Sequence, residues 1–245
     1  MDKIKQLISM IEGSKYTTVL TGAGISTLSG IADFRGAYNP IWEQYPQDKV
    51  FDIGYFNEHP GLFFDFLREI LKHDYEPSIA HRVLAYLESE GKIKSVITQN
   101  IDGLHEKAGS KKVYALHGTI FKSHCLRCGK EYGHDAFLSK LNTEKVVACH
   151  CSGVIKPDVV FYGEMLPEEE MKMSVFSASR SELMLIVGTS LSVAPASMIP
   201  VYAERNKGKL VMINRGDTYI DERVILKFSD IADTFKKIAE YYEVK

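Results

Sequence analysis

Six short runs of β-branched and apolar residues, separated by longer stretches, constrain this chain most. They are TTVL (17–20), IKSVIT (93–98), VYAL (113–116), DVVFY (158–162), LMLIV (183–187) and KLVMI (209–213). LMLIV carries no polar residue on either side, the pattern of a strand covered on both faces. Helical patterns at 79–90, 167–180, 196–206 and 231–242 alternate with the runs. Such alternation predicts an α/β fold: a Rossmann-like, doubly wound parallel sheet. Another helix opens the chain, where Ile4, Leu7, Ile8 and Ile11 share one face.

Two stretches break the alternation. Residues 37–76 are rich in aromatics and hold Pro40, Pro46 and Pro60, whereas 119–153 hold every cysteine. Both read as insertions that together form a small domain. The expected division is a Rossmann-like domain of 1–36, 77–118 and 154–245, a helical insertion at 37–76 and a zinc-binding insertion at 119–153. With 45% hydrophobic residues among 245, a sizeable core is available. A net charge of −2 gives no electrostatic footprint for nucleic acid or an anionic membrane. No apolar run reaches membrane-span length and the amphipathic N-terminus is unlike a signal peptide, so a cytoplasmic protein is expected. No heptad seam is visible, so a monomer is expected.

TVLTGAGIS (18–26) is a strand running into a turn in which Gly22 and Gly24 would let the backbone approach a phosphate. Residue 27 is Thr, so G-x-G-x-x-G is incomplete, and a plain tight turn is the competing reading. In GIADFRG (30–36), Arg35 is a fork donor suited to pyrophosphate and Phe34 could cover a ring, whereas a surface loop with a local Asp33–Arg35 contact is the bland alternative. TQNIDGLHEKAG (98–109) places Gln99, Asn100 and Asp102 just beyond a strand's carboxyl end, and VYAL runs into His117. Ligands of open α/β sheets bind at such ends. His117 is therefore the candidate general base, a context that His59, His73 and His81 lack.

Cys125-x-x-Cys128 forms a knuckle suited to tetrahedral zinc, and Cys149-x-Cys151 is a tighter second pair. Four thiolates leave no open coordination position, so the site would be structural; a metal-free remnant is the alternative. His124 and His150 adjoin these cysteines and could substitute in a distorted site.

Taken together, GAGIS (22–26), GIADFRG (30–36), TQNIDGLH (98–105), LHG (116–118), the paired cysteines, KPDVVFYGE (156–164), VGTSLSV (187–193) and Asn214 at a strand end resemble the sirtuin family in content and order. The resemblance implies an NAD⁺-dependent protein lysine deacetylase with one structural Zn²⁺. Its cleft would take NAD⁺ from one side and acyl-lysine from the other. It places Gly22, Ala23, Ser26 and Arg35 around the cofactor phosphates, counts Gly24, Thr27 and Asp33 among the cofactor-binding residues, and sets Phe34 over the reacting ribose. Gln99, Asn100, Ile101 and Asp102 would meet the nicotinamide end, Gly188, Thr189 and Ser190 the phosphate and ribose, and Asn214, Asp230 and Ile231 the adenosine. Val160, Phe161, Gly163, Glu164 and Val193 would form the acyl-lysine tunnel and its edges.

The implied chemistry breaks the nicotinamide bond and joins the acyl oxygen to the ribose. His117 removes a ribose hydroxyl proton, with Asn100 and Asp102 beside it. The products are nicotinamide, O-acetyl-ADP-ribose and free lysine on acetylated protein partners. The chain departs from the pattern at Ala32, where many members have Pro, and in the one-residue shift of Cys149. Phe66 and Glu69 stand where members preferring acidic acyl chains have Tyr and Arg, which favours acetyl or another neutral acyl group. A protein mono-ADP-ribosyltransferase and a non-catalytic NAD-sensing module are the other functional readings.

Overall fold

The computed structural model describes residues 2–33 and 40–244. Its strands are β1 (Thr17–Thr21), β2 (Ile93–Thr98), β3 (Val113–Ala115), β4 (Gly118–Cys125), β5 (Glu131–Gly133), β6 (Ile155–Val159), β7 (Leu183–Val187), β8 (Lys209–Ile213) and β9 (Leu226–Phe228). Six form one sheet in the order β3-β2-β1-β7-β8-β9. Every pairing in it is parallel. The order reverses direction between β1 and β7, which is the switch point of a doubly wound sheet.

Strand alternation explains the unbroken apolar runs. Val19, Leu185 and Val211 face a helical layer that includes Leu7, Ile11, Val83, Phe235 and Ile238. Their neighbours Leu20, Ile186 and Met212 face the opposite layer, where Ala178, Ile199 and Ala203 pack. The first helix, Lys3–Gly13, buries Leu7, Ile8 and Ile11 and is capped by the Asp2 carboxylate, which accepts from the Ile4 N–H at 3.0 Å.

DVVFY does not join this sheet as expected. Strand β6 lies three residues earlier and pairs antiparallel with β4 in a three-stranded sheet, β5-β4-β6. Pro157 lies within it, and an edge strand tolerates the missing N–H. The short edge strand β9 was not foreseen; LKF offers only three residues.

Between β1 and β2 the aromatic stretch forms helices Pro40–Gln44, Gln47–Val50, Ile53–Glu58 and Pro60–Ile70. Their rings share one apolar core with the cysteine-bearing stretch, in which Phe51, Phe56, Phe63 and Phe64 meet Phe137, Leu141 and Val147. Arg68 reinforces that union by donating to the carbonyls of Leu141 at 2.8 Å and Lys145 at 3.0 Å. The chain passes from the parallel sheet to the smaller one at Gly118, whose φ is +74°. A Cβ there would lie 1.8 Å from the Asp158 carbonyl oxygen, so only glycine permits the crossing.

Candidate active site

The strand register brings the carboxyl ends to one level. Ala115 pairs with Thr98, Thr98 with Thr21, Thr21 with Val187, Val187 with Ile213, and Ile213 with Phe228. The loops leaving this row carry His117, Gln99 to Asp102, Gly22 to Thr27, Gly188 to Ser190, Asn214 and Asp230. At the switch point the β1 and β7 loops touch. A Cβ on Gly24 would lie 2.8 Å from Gly188 Cα, and one on Gly22 2.7 Å from Thr189 Cβ. The Gly22 and Gly24 N–H groups donate to Val187 and Gly188 carbonyls at 3.0 and 2.8 Å. These glycines therefore serve the approach of two loops, and their own N–H groups are not available to a phosphate.

One polar network holds the next loop. Asn100 Nδ2 donates to the Gly22 carbonyl at 3.2 Å and to Ser26 Oγ at 3.1 Å. Ser26 Oγ donates to Asp102 Oδ2 at 2.7 Å, and the Leu104 N–H donates to Asp102 Oδ1 at 2.9 Å. Burial raises the Asp102 carboxyl above its ordinary value, although these two donors oppose the shift. Gln99 Nε2 donates to Thr189 Oγ1 at 2.9 Å and so ties the β2 and β7 loops across the switch point.

His117 donates from Nδ1 to the Gln99 carbonyl at 2.9 Å, because a carbonyl can only accept. Its Nε2 is then the lone-pair nitrogen. Burial lowers its pKa below 6.5, against the raising effect of the Gln99 bond, so the neutral imidazole prevails near pH 7. This combination is what a general base requires.

Behind the opposite wall, Lys156 is 2% exposed. It donates to the Val159 carbonyl at 2.6 Å and to Glu164 Oε2 at 2.9 Å, and lies 4.0 Å from the Phe161 ring centroid. Glu164 Oε2 also accepts from the Phe161 N–H at 2.7 Å, which closes the 160–164 turn. The Phe161 ring is buried among Phe51, Phe56 and Phe63. At the far end, Asn214 Nδ2 donates to the Gly216 carbonyl at 2.9 Å, and Asp230 caps helix Ile231–Tyr242 by accepting from the Asp233 N–H at 2.9 Å.

Every described residue assigned from sequence to cofactor or acyl-lysine lines one continuous cleft, Asp33, Ile101, Ser190, Asp230, Ile231 and Val193 included. Phe34 and Arg35 lie outside the described residues. Sequence reasoning missed Lys156, since nothing in KPDVV announces a buried cation. It also missed the buried polar residues Thr21, Thr98 and His105 behind the cleft, whose sequence contexts look like ordinary strand and helix.

The four cysteine sulfurs lie within 4.8 Å of one another. Cys125 and Cys151 sulfurs are 3.5 Å apart, and those of Cys128 and Cys149 3.7 Å. Tetrahedral Zn–S bonds of about 2.3 Å require S···S separations of roughly 3.8 Å, so the set fits a zinc ion despite the tight second pair. His150 Nδ1 approaches Cys149 Sγ at 3.2 Å, while His124 turns away to Asp158 at 2.6 Å.

The Sir2 family model matches residues 22–195. An NAD-dependent protein deacetylase of Thermotoga maritima is 42% identical over 242 residues, 97% of this chain and 98% of that protein. One from Oceanobacillus iheyensis is 40% identical over 233 residues, 94% of each. Among solved structures, a Sir2 with p53 peptide and NAD⁺ superposes with TM-score 0.91 at 40% identity, covering 98% of both chains. A Sir2 variant with deacetylated p53 peptide and 3′-O-acetyl ADP ribose gives TM-score 0.91 at 40% identity over 99% of both.

Proposed function

The chain belongs to the Sir2 family, and we propose that it is an NAD⁺-dependent protein lysine deacetylase. It transfers the acetyl group of acetyl-lysine to ADP-ribose and releases nicotinamide and the free lysine. The observation that carries this reading is His117. Its neutral imidazole has Nδ1 held by the Gln99 carbonyl and Nε2 left to the cleft. There it would accept a ribose hydroxyl proton.

Each wall has its own task. The Gly22–Thr27 and Gly188–Ser190 loops at the switch point would hold the phosphates and adjoining ribose, and Asn214, Asp230 and Ile231 the adenosine. Asn100 and Asp102, locked together through Ser26, would orient the nicotinamide end. Residues Val160 to Glu164, with Val193 opposite, would grip acyl-lysine, the substrate backbone adding as a strand along this edge. Residues 1–36, 77–118 and 154–245 would form the NAD⁺-binding unit and 37–76 with 119–153 the second, with β6 as their shared stem.

Phe66 stacks on Trp42 at 5.5 Å and Glu69 pairs with Lys72 at 2.6 Å, both lining the cleft. Neither Phe66 nor the Lys72-paired Glu69 offers a free cation to a carboxylate acyl chain, which favours acetyl or another neutral group. The four thiolates would hold one zinc ion that fastens the small sheet. With all positions filled it supplies no catalysis. No described helix is long and apolar enough to cross a membrane, and a monomer acting on exposed lysines of cytoplasmic proteins fits the modest charge.

The test is mass spectrometry of an acetyl-lysine peptide with and without NAD⁺, on the wild type and His117→Ala. Acetyl loss only with NAD⁺, one nicotinamide per lysine, and silence in the variant are expected. ADP-ribose on protein with the acetyl group intact would establish the transferase reading instead.

A further inference from the structure

Two imidazoles that the proposed reaction does not use lie behind the cleft. His81, on helix Ile79–Ser89, is 0% exposed and His105, beside the Asp102 turn, 1%. Their ring centroids are 4.7 Å apart at 63°. Neighbouring hydrogen bonds determine which nitrogen of each carries a proton. The Ser78 N–H donates to His81 Nδ1 at 3.2 Å, so that nitrogen is the acceptor and Nε2 holds the hydrogen. The Thr21 hydroxyl donates to Thr98 Oγ1 at 2.8 Å. Its only hydrogen is then committed, and its 2.9 Å bond with His105 Nε2 must be donated by the imidazole. His105 Nδ1 is left as a bare lone pair.

On these two rings, the nitrogens without a hydrogen-bond partner among the described residues are His81 Nε2 and His105 Nδ1. One is a donor and the other an acceptor, on adjacent rings. Burial also disfavours charge on both rings, which agrees with neutral tautomers. The chain of bonds continues into the cleft. Thr98 Oγ1 accepts from the Asn100 N–H at 3.0 Å, and Thr21 and Thr98 face each other in register.

We propose that His105, its tautomer locked beside the His81 ring, acts through Thr21 and Thr98 to position Asn100. The His105 N–H occupies a lone pair of Thr21 and turns its hydroxyl toward Thr98. That donor in turn holds the Thr98 oxygen against the Asn100 N–H. His105 and Thr21 are positioning residues, since neither lines the cleft's reacting end. The positioning role rests on the deacetylase reading, whereas the tautomers do not.

The experiment joins two measurements on the whole protein. In the ¹⁵N-histidine-labelled wild type, long-range correlation spectra should show both buried rings neutral and Nε2-protonated from pH 6 to 8. In parallel, Thr21→Val should lower kcat/KM for NAD⁺ roughly tenfold. The KM for acetyl-peptide should stay unchanged, and Thr21→Ser should restore most of the loss. A wild-type rate in Thr21→Val, or an Nδ1-protonated or charged ring at pH 7, overturns the proposal. If Thr21→Val fails to fold, the wild-type tautomers decide. An inactive wild type would refute the deacetylase reading; weaker NAD⁺ binding by Thr21→Val than by Thr21→Ser would still uphold the chain of bonds, and equal binding would overturn it.

Discussion

Gly188→Ala tests the geometry on which the cofactor half of the cleft depends. Gly188 directly follows β7 with φ +63°, where an L side chain meets its own carbonyl. That strain costs about 1–2 kcal/mol. The new Cβ would also lie 2.5 Å from the Ile25 nitrogen and 2.7 Å from the Gly24 carbonyl carbon. Both are backbone atoms that no rotamer change can move. Forcing atoms into such packed space typically adds about 1–3 kcal/mol. For a chain of this size, a combined loss of about 2–5 kcal/mol lowers Tm by roughly 5–15 °C. The β1 loop must retreat to admit the methyl group, carrying Ala23 and Ser26 with it, so KM for NAD⁺ should rise more than KM for peptide. Calorimetry and steady-state kinetics read the two effects. A Tm within about 2 °C of wild type together with an unchanged KM for NAD⁺ would refute the close approach of the two loops.

Further outcomes follow from the same structure. His117→Ala should abolish deacetylation while calorimetric titration still detects NAD⁺ binding; retained turnover would remove His117 from the chemistry. Because burial depresses the His117 pKa, the acid limb of the wild-type pH–rate profile should fall below 6.5, and a limb above that value would contradict the assignment. His81 is neutral when folded, with a pKa of about 4 against an ordinary 6.5. Its contribution to stability is present in full above pH 6.5 and lost as pH falls toward 4. It amounts to about 3 kcal/mol, and denaturant midpoints that stay flat from pH 7 to 4.5 would disprove it. Glu164→Ala leaves the buried Lys156 ammonium without its counter-charge, which costs about 3 kcal/mol and should raise peptide KM more than NAD⁺ KM. Cys125→Ala should release zinc and lower Tm, with metal analysis and calorimetry as the checks.

The parallel sheet was legible because β1, β2, β7 and β8 are long enough for their β-branched and apolar runs to stand out between the helical patterns. The site was legible because its polar residues follow directly on those strands. What stayed hidden depends on contacts between distant segments. β6 resembles a core strand in composition, and only its pairing with β4 places it in the smaller sheet. Lys156 looks like a surface lysine until the 160–164 turn folds over it. Gly22 and Gly24 were read as room for a phosphate, and the structure adds a second demand on them that the sequence did not show, the close approach of Gly188 and Thr189. His81 had no local context to mark it, since its partner His105 lies across a helix and a strand. The cysteine spacing suggested a strained metal site, and the sulfur separations show that the intervening loop absorbs the one-residue shift.

The central claim is that the acetyl group leaves lysine for ADP-ribose. It is tested most directly by a peptide whose lysine acetyl carries ¹³C at both carbons, incubated with NAD⁺ and followed by mass spectrometry. The account predicts that both labelled carbons appear in O-acetyl-ADP-ribose, in equal amount to nicotinamide released. Labelled free acetate with NAD⁺ left intact would contradict it.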